Sequence, residues 1–257
     1  MSIMFILLPP SEGKTPAQDG APVDLSSLSL PELNETRREV LAELQKVSAA
    51  PDALVQLGVG ERIAGEVARN IDLDTEPTAQ ALTVYTGVLF EALDVSAVLQ
   101  APRERVERVF IASALFGMVG ALDHVPAYRL SMKTSLGDLG PLAKLWKEAL
   151  GEPLAEHFGG APVLDCRSGD YRRPWPGIPE NTVAVNVVKE VAGKRTTVSH
   201  WAKHTRGLVA SHLLQRSEPM PSSPEAIADA VAEQFEVEYA PPRGKQSAVL
   251  TVVLPDA

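Results

Sequence analysis

The chain has 257 residues, 45% of them hydrophobic and 22% charged, with a formal net charge of −9. That composition belongs to a globular protein able to bury a core without disulfides or a structural metal. The acidic balance excludes long-range attraction to nucleic acid, so any such role must rest on a local basic patch.

Cys166 is the one cysteine, which excludes an intrachain disulfide and fits a reducing compartment. One cysteine and five scattered histidines give no zinc-finger spacing; His200 and His204, four apart, could pair on a metal, but no HExxH and no nearby third ligand accompanies them, and neither a metal nor a cofactor is expected. The N-terminal "MSIMFILLPP" lacks a basic leader and meets proline after a short apolar run. It reads as a buried strand, and the chain as cytoplasmic with no membrane partner.

Taken in order, residues 3–8 form a short strand that Pro9 and Pro10 end, because proline offers no N–H to a ladder. After a loop to about Ser29, Leu33, Val40, Leu41, Leu44 and Val47 keep helical spacing, with Pro31 suited to a first turn. "PDALVQLGVGERIAGEVARNI" reads as helix, tight glycine turn and helix. Residues 79–94 read as helical around a Tyr-Thr-Gly. Residues 109–115 form a buried strand, "PAYRLSM" another, "LAKLWKEALGEPLAEHF" a helix, and "APVLDCRSGDY" a strand running into a polar turn. Two β segments around Gly193 predict a hairpin, followed by helices over 202–216 and 223–235 and a closing strand in "QSAVLTVVLP". The irregular alternation predicts an α+β fold over residues 1–257: one mixed domain with a mostly β core and surrounding helices.

The stretch "LLPPSEGKT" ends in the second half of a phosphate-binding loop. A P-loop requires G-x-x-x-x-G-K-S/T with backbone N–H groups wrapping the phosphates. Here Leu8 stands at the first glycine position and Pro9 and Pro10 have no N–H, so this is not a P-loop. Ser11, Glu12 and Lys14 nevertheless sit at the end of a buried strand, where α/β sites gather. The alternative is a solvated turn.

In "LDCRSGDYRRPW", Arg167 can grip a carboxylate or phosphate bidentately, and Ser168 and Tyr171 offer hydroxyls. Alternation along the strand puts Cys166 toward the core, and Arg172 and Arg173 read as surface-turn residues. In "SHWAKHTRGLVASHLL", His200, Lys203 and Arg206 share one side of a helix. Arg129, between apolar neighbours in "AYRLSM", needs a partner or a cavity. Gly58, Gly60 and Arg62 form a turn whose following helix start could meet a phosphate; a plain connector with Gly58 as its cap is the alternative.

Together "LLPPSEGK", "YTGVLFEAL", "ASALFGMVGALDHVPAYRLSM", "LDCRSGDY" and "VSHWAKHTRGLVASHLL" resemble, in order and over nearly the whole chain, the YaaA family of peroxide-stress proteins, and in particular its actinobacterial-type members. The resemblance implies a cytosolic single-domain mixed fold with a positively charged cleft and a helix-hairpin-helix element. It also implies a role in limiting free iron under hydrogen peroxide, and association with DNA.

Two functional readings follow. In the first, a basic cleft grips double-stranded DNA through backbone contacts, with Gly58, Gly60 and Arg62 at the turn. In the second, an enzyme acts on a small anionic or nucleotide-like metabolite. Lys14, Arg129, Arg167, His200, Lys203 and Arg206 then supply charge, Ser11, Ser168 and Tyr171 hydroxyls, and Glu12 a base. Desolvated among arginines, Lys203 would lose its proton readily enough to attack a carbonyl. A third reading makes the polar motifs buried structural networks.

Overall fold

The computed structural model describes residues 4–191, 194–196 and 199–255. An eight-stranded sheet forms its centre. The strands are β1 (Phe5–Leu8), β2 (Val109–Ser113), β3 (Gly117–Gly120), β4 (Val163–Asp165), β5 (Thr182–Val191), β6 (Lys194–Thr196), β7 (Val237–Ala240) and β8 (Ala248–Leu254). Their order is β7-β8-β5-β4-β1-β2-β3, with β6 added to β5. The pairs β1–β2, β1–β4, β4–β5 and β5–β8 are parallel, and β2–β3, β5–β6 and β7–β8 antiparallel.

β1, β2 and β4 are buried along their whole length, as expected of central parallel strands covered on both faces. The mixed fold is the expected one, and its centre is parallel. The hairpin predicted near residue 193 is the β5–β6 pair, with Gly193 itself outside the described residues.

The helices that matter here are α1 (Asn34–Ser48), α2 (Ala53–Gln56), α3 (Ala64–Arg69), α4 (Val88–Leu93), α5 (Leu142–Phe158), α6 (Gly169–Arg172), α7 (Ser199–Gln215) and α8 (Pro224–Ala232). α1 buries Val40, Leu44 and Val47, and also Arg37. The Arg37 guanidinium reaches the Phe116, Met118 and Ser29 carbonyls and Asn34 Oδ1, and burial pushes its pKa down to about 10. α5 buries Trp146, Leu150, Leu154 and Phe158, one turn apart. Ser223 caps α8 by accepting from the Ala226 N–H at 3.1 Å.

α7 crosses α4 at Gly207, where a Cβ would lie 2.3 Å from the Leu89 carbonyl and 2.9 Å from Ala92 Cβ. Neither contact is the movable end of a side chain. Gly207→Ala is therefore expected to lose about 1–3 kcal/mol in urea unfolding, although alanine favours a helix by about 1 kcal/mol. An unchanged midpoint would show that the two helices separate freely.

One expected strand is absent. Residues 126–132 form no ladder. The Arg129 N–H donates to Asn70 Oδ1 at 2.9 Å, and Asn70 Nδ2 donates to the Arg129 carbonyl at 2.9 Å. A buried side-chain amide thus takes the place of a neighbouring strand, and "AYRLSM" belongs to no sheet.

Candidate functional site

From β1 the chain moves through β2 and β3 toward one edge of the sheet, and from β4 through β5 and β8 toward the other. The direction of winding therefore reverses between β1 and β4. In open parallel sheets such a switch point opens a crevice beyond the carboxyl ends of the two strands, where ligands bind. Here those ends carry "PPSEGK" and "CRSGDY".

The loop after β1 is folded onto Tyr85-Thr86-Gly87. Ser11 Oγ accepts from the Thr86 N–H at 2.9 Å and donates to the Gly13 carbonyl at 2.5 Å, so Ser11 shapes the loop. The Thr15 N–H donates to the Val84 carbonyl at 2.8 Å. This pinning turns Lys14 inward. Its Nζ donates to the Ser11 carbonyl at 2.9 Å and lies 4.2 Å from the Tyr128 ring centroid and 5.2 Å from that of Tyr85.

Beneath it the Tyr128 hydroxyl is 2.7 Å from Ser113 Oγ and 3.0 Å from the Tyr85 hydroxyl. Burial raises the pKa of both phenols, that of Tyr85 to about 12. Burial pushes Lys14 the other way, down to about 7, with Arg129 adding to the shift and Glu12 and Glu66 opposing it.

Arg129 Nη2 is 2.8 Å from Glu12 Oε2, and Nη1 is 3.5 Å from Glu66 Oε2. Glu12, Arg129 and Ser131 line a cavity of about 230 Å³ with Leu57, Gly58, Val59 and Leu130. The "PPSEGK", "AYRLSM" and glycine-turn stretches thus meet at one opening. From the β4 side the Tyr171 hydroxyl accepts from the Met132 N–H at 3.4 Å, and burial raises its pKa.

At the end of β4 the arrangement is different. Asp165 and Arg167 are fully buried and bonded bidentately, Nε to Oδ1 at 2.9 Å and Nη2 to Oδ2 at 2.8 Å. Arg167 also donates to the Tyr171 and Trp175 carbonyls. Its donors serve the protein's own acceptors, so Arg167 acts here as a frame for "SGDY".

Arg172 Nε lies 3.2 Å from Asp165 Oδ2 but makes no hydrogen bond. Arg206 donates to the Val185 carbonyl at 3.2 and 3.1 Å, just past the last β5 residue paired with β4. Cys166 is buried as expected, and burial raises its thiol to about 12. Ser168 precedes α6 without a side-chain capping bond.

The remaining candidates lie elsewhere. His200 and Lys203 are exposed near the start of α7, with Trp201 beside them 55% exposed. The lysine set among desolvating walls is Lys14, not Lys203. Gly58 has φ +65° and ends α2 as a Schellman cap, its N–H bonding the Val55 carbonyl and that of Val59 the Leu54 carbonyl. Gly60 and Arg62 are exposed beyond it, with Glu61 adjacent.

Sequence reasoning missed Glu66, Asn70, Tyr85, Tyr128 and Asp165, and placed Arg172 on the surface. Asp165 carried a usable signal, a carboxylate closing the apolar run before Cys166 and Arg167. Among the described residues no group of three or more His, Cys, Asp or Glu could hold a metal ion, and no helix is long and apolar enough to cross a membrane.

The family profile described as Peroxide stress protein YaaA matches residues 4–240. A UPF0246 protein of Streptomyces coelicolor is 37% identical, covering 98% of this chain and 98% of its own length. One of Corynebacterium glutamicum is 37% identical over 93% of this chain and 96% of its own. Another, of Corynebacterium efficiens, is 40% identical over 80% and 83%. With the profile spanning most of the chain and the Streptomyces relative matching nearly end to end, the chain belongs to the YaaA family of peroxide-stress proteins.

Proposed function

We propose that the chain serves the peroxide-stress response as a cytoplasmic enzyme acting on a small anionic, nucleotide-like metabolite in the β1/β4 crevice. One observation carries this reading. Glu12 and Arg129, from distant stretches, meet as an ion pair on a 230 Å³ cavity, with Lys14 and Tyr171 near enough to Glu12 to feel its charge. Arg129, Arg172 and Arg206 are the cations for an anionic group, Glu12 is the base, and Lys14 is the reactive amine. Limitation of free iron is then a consequence of this chemistry, not of chelation by the chain.

The test is thermal unfolding with a panel of nucleoside mono- and triphosphates and sugar phosphates. A ligand present at about 100 times its Kd stabilises by about 2.7 kcal/mol, which raises Tm by roughly 5–10 °C for a domain of this size. The rise should vanish in Arg129→Ala, whose variant must keep the wild-type circular dichroism. A panel that leaves wild-type Tm unmoved would remove this reading.

The DNA reading has one observation in its favour: Gly58 and Val59 line the same cavity. Backbone contacts would give weak binding to duplex DNA that falls with salt. The same assay with a duplex in low salt, wild type against Arg62→Ala, separates the two.

A further inference from the structure

We infer that Lys14 is a carbonyl-capturing amine, and that the crevice takes an anionic aldehyde or ketone and holds it as an imine on Nζ. This rests on the small-anion reading above and names its substrate class.

The geometry supplies what an amine nucleophile needs. Lys14 sits at the carboxyl end of β1, beside the switch point. Among the described residues its Nζ has one hydrogen-bond acceptor, the Ser11 carbonyl, and no carboxylate pairs with it. Two tyrosine rings form its other walls.

The ionisable groups facing it are Glu12 from its own loop, Glu66 from α3, Arg129 from the segment 126–132, and the Tyr85 and Tyr128 phenols. Both carboxylates are turned onto Arg129, Glu12 at 2.8 Å and Glu66 at 3.5 Å, so they act on the amine only at a distance. Burial among these groups brings the ammonium down to about 7, so an appreciable share of the free amine exists at neutral pH.

The step is a condensation without redox change. The Nζ lone pair adds to the carbonyl carbon, and the carbonyl π pair moves to oxygen, which takes a proton. The resulting hydroxyl, protonated once more, leaves as water, while Nζ gives up both its hydrogens and forms the C=N bond. Amine and carbonyl become imine and water. Glu12, at the rim with its side chain 59% exposed, is the group placed to pass protons between Nζ and solvent.

The probes are pyridoxal 5′-phosphate, an aldehyde bearing a phosphate, and pyridoxal, which lacks it. The full chain is incubated with each between pH 6 and 9 and reduced with cyanoborohydride, and adducts are mapped by peptide mass spectrometry. At pH 7, Lys14 should carry at least about tenfold more adduct than exposed Lys133 and Lys203, because the free-amine fraction sets the rate. Labelling should rise with pH through a midpoint near 7, since only the unprotonated amine adds to the carbonyl. The phosphate aldehyde should label at least about tenfold faster than pyridoxal, as an arginine-bound anion requires.

Lys14→Arg should fold as wild type and lose the adduct. Labelling of Lys14 no faster than of Lys133 and Lys203 overturns the imine, and equal rates for the two probes overturn the anionic class. The nucleotide panel reads binding without covalent chemistry. A panel shift with Lys14 unlabelled overturns the imine alone, and a labelled Lys14 without any shift overturns the nucleotide-like reading alone.

Discussion

Asp165→Ala is expected to cost the fold about 3–5 kcal/mol, the loss that follows when one partner of a buried ion pair is removed. Asp165 and Arg167 have no solvent exposure at all. Without the carboxylate, the Arg167 guanidinium keeps only the Tyr171 and Trp175 carbonyls, and Arg172 loses the anion 3.2 Å from its Nε. Urea unfolding should show the drop as a lower midpoint with an unchanged slope. The cost belongs to a stranded charge more than to a lost attraction, because two buried ions attract only about as strongly as their desolvation opposes. Asp165→Leu combined with Arg167→Met should therefore recover most of the loss. A double variant as unstable as the single one would mean that the pair itself is the stabilising element.

The same pair shows what the sequence could and could not disclose. The apolar runs at Phe5–Leu8, Val109–Ser113 and Val163–Asp165 are legible as strands because central parallel strands are apolar on both faces. Which strand lies beside which is not written in any local pattern, yet the site depends on it. Only the pairing of β1 with β4 brings the loops "PPSEGK" and "CRSGDY" that follow them side by side.

Arg167 was recognisable as a bidentate donor, but its acceptor stands two residues before it, at the end of β4. A partner so near in sequence turns a plausible ligand-binding arginine into a framework one. Arg129 shows the reverse case. Its apolar flanks read as a strand, whereas Asn70, far away in the chain, supplies the hydrogen bonds that a neighbouring strand would have made. Lys14 was legible as a cation at the end of a buried strand; its aromatic walls come from Tyr85 and Tyr128. Desolvation by such distant residues leaves no trace at the lysine itself.

Gly117→Ala is expected to lose about 2–5 kcal/mol, from two costs acting at once. Gly117 has φ +73°, where a Cβ meets the following carbonyl at about 1–2 kcal/mol. That Cβ would also stand 2.5 Å from Trp146 Cζ3 and 2.7 Å from Cε3, an overpacking worth about 1–3 kcal/mol. Trp146 cannot swing aside, because it is fully buried and its Nε1 donates to the Ala114 carbonyl at 2.9 Å.

The strain also reaches the crevice. Gly117 pairs with Ser113 across the β2–β3 hairpin, and Ser113 Oγ accepts from the Phe116 N–H and bonds the Tyr128 hydroxyl under Lys14. Urea unfolding of Gly117→Ala, Trp146→Phe and the double variant measures the coupling. Phenylalanine withdraws the ring edge, so the double variant should be less destabilised than the sum of the singles by about 1–3 kcal/mol. The remaining loss is the backbone cost and the missing indole bond. Adduct formation at Lys14 should follow the same pattern, reduced in Gly117→Ala and partly restored in the double variant. Strictly additive stabilities would show that Trp146 and the hairpin yield independently, and that Tyr128 is insulated from the turn behind it.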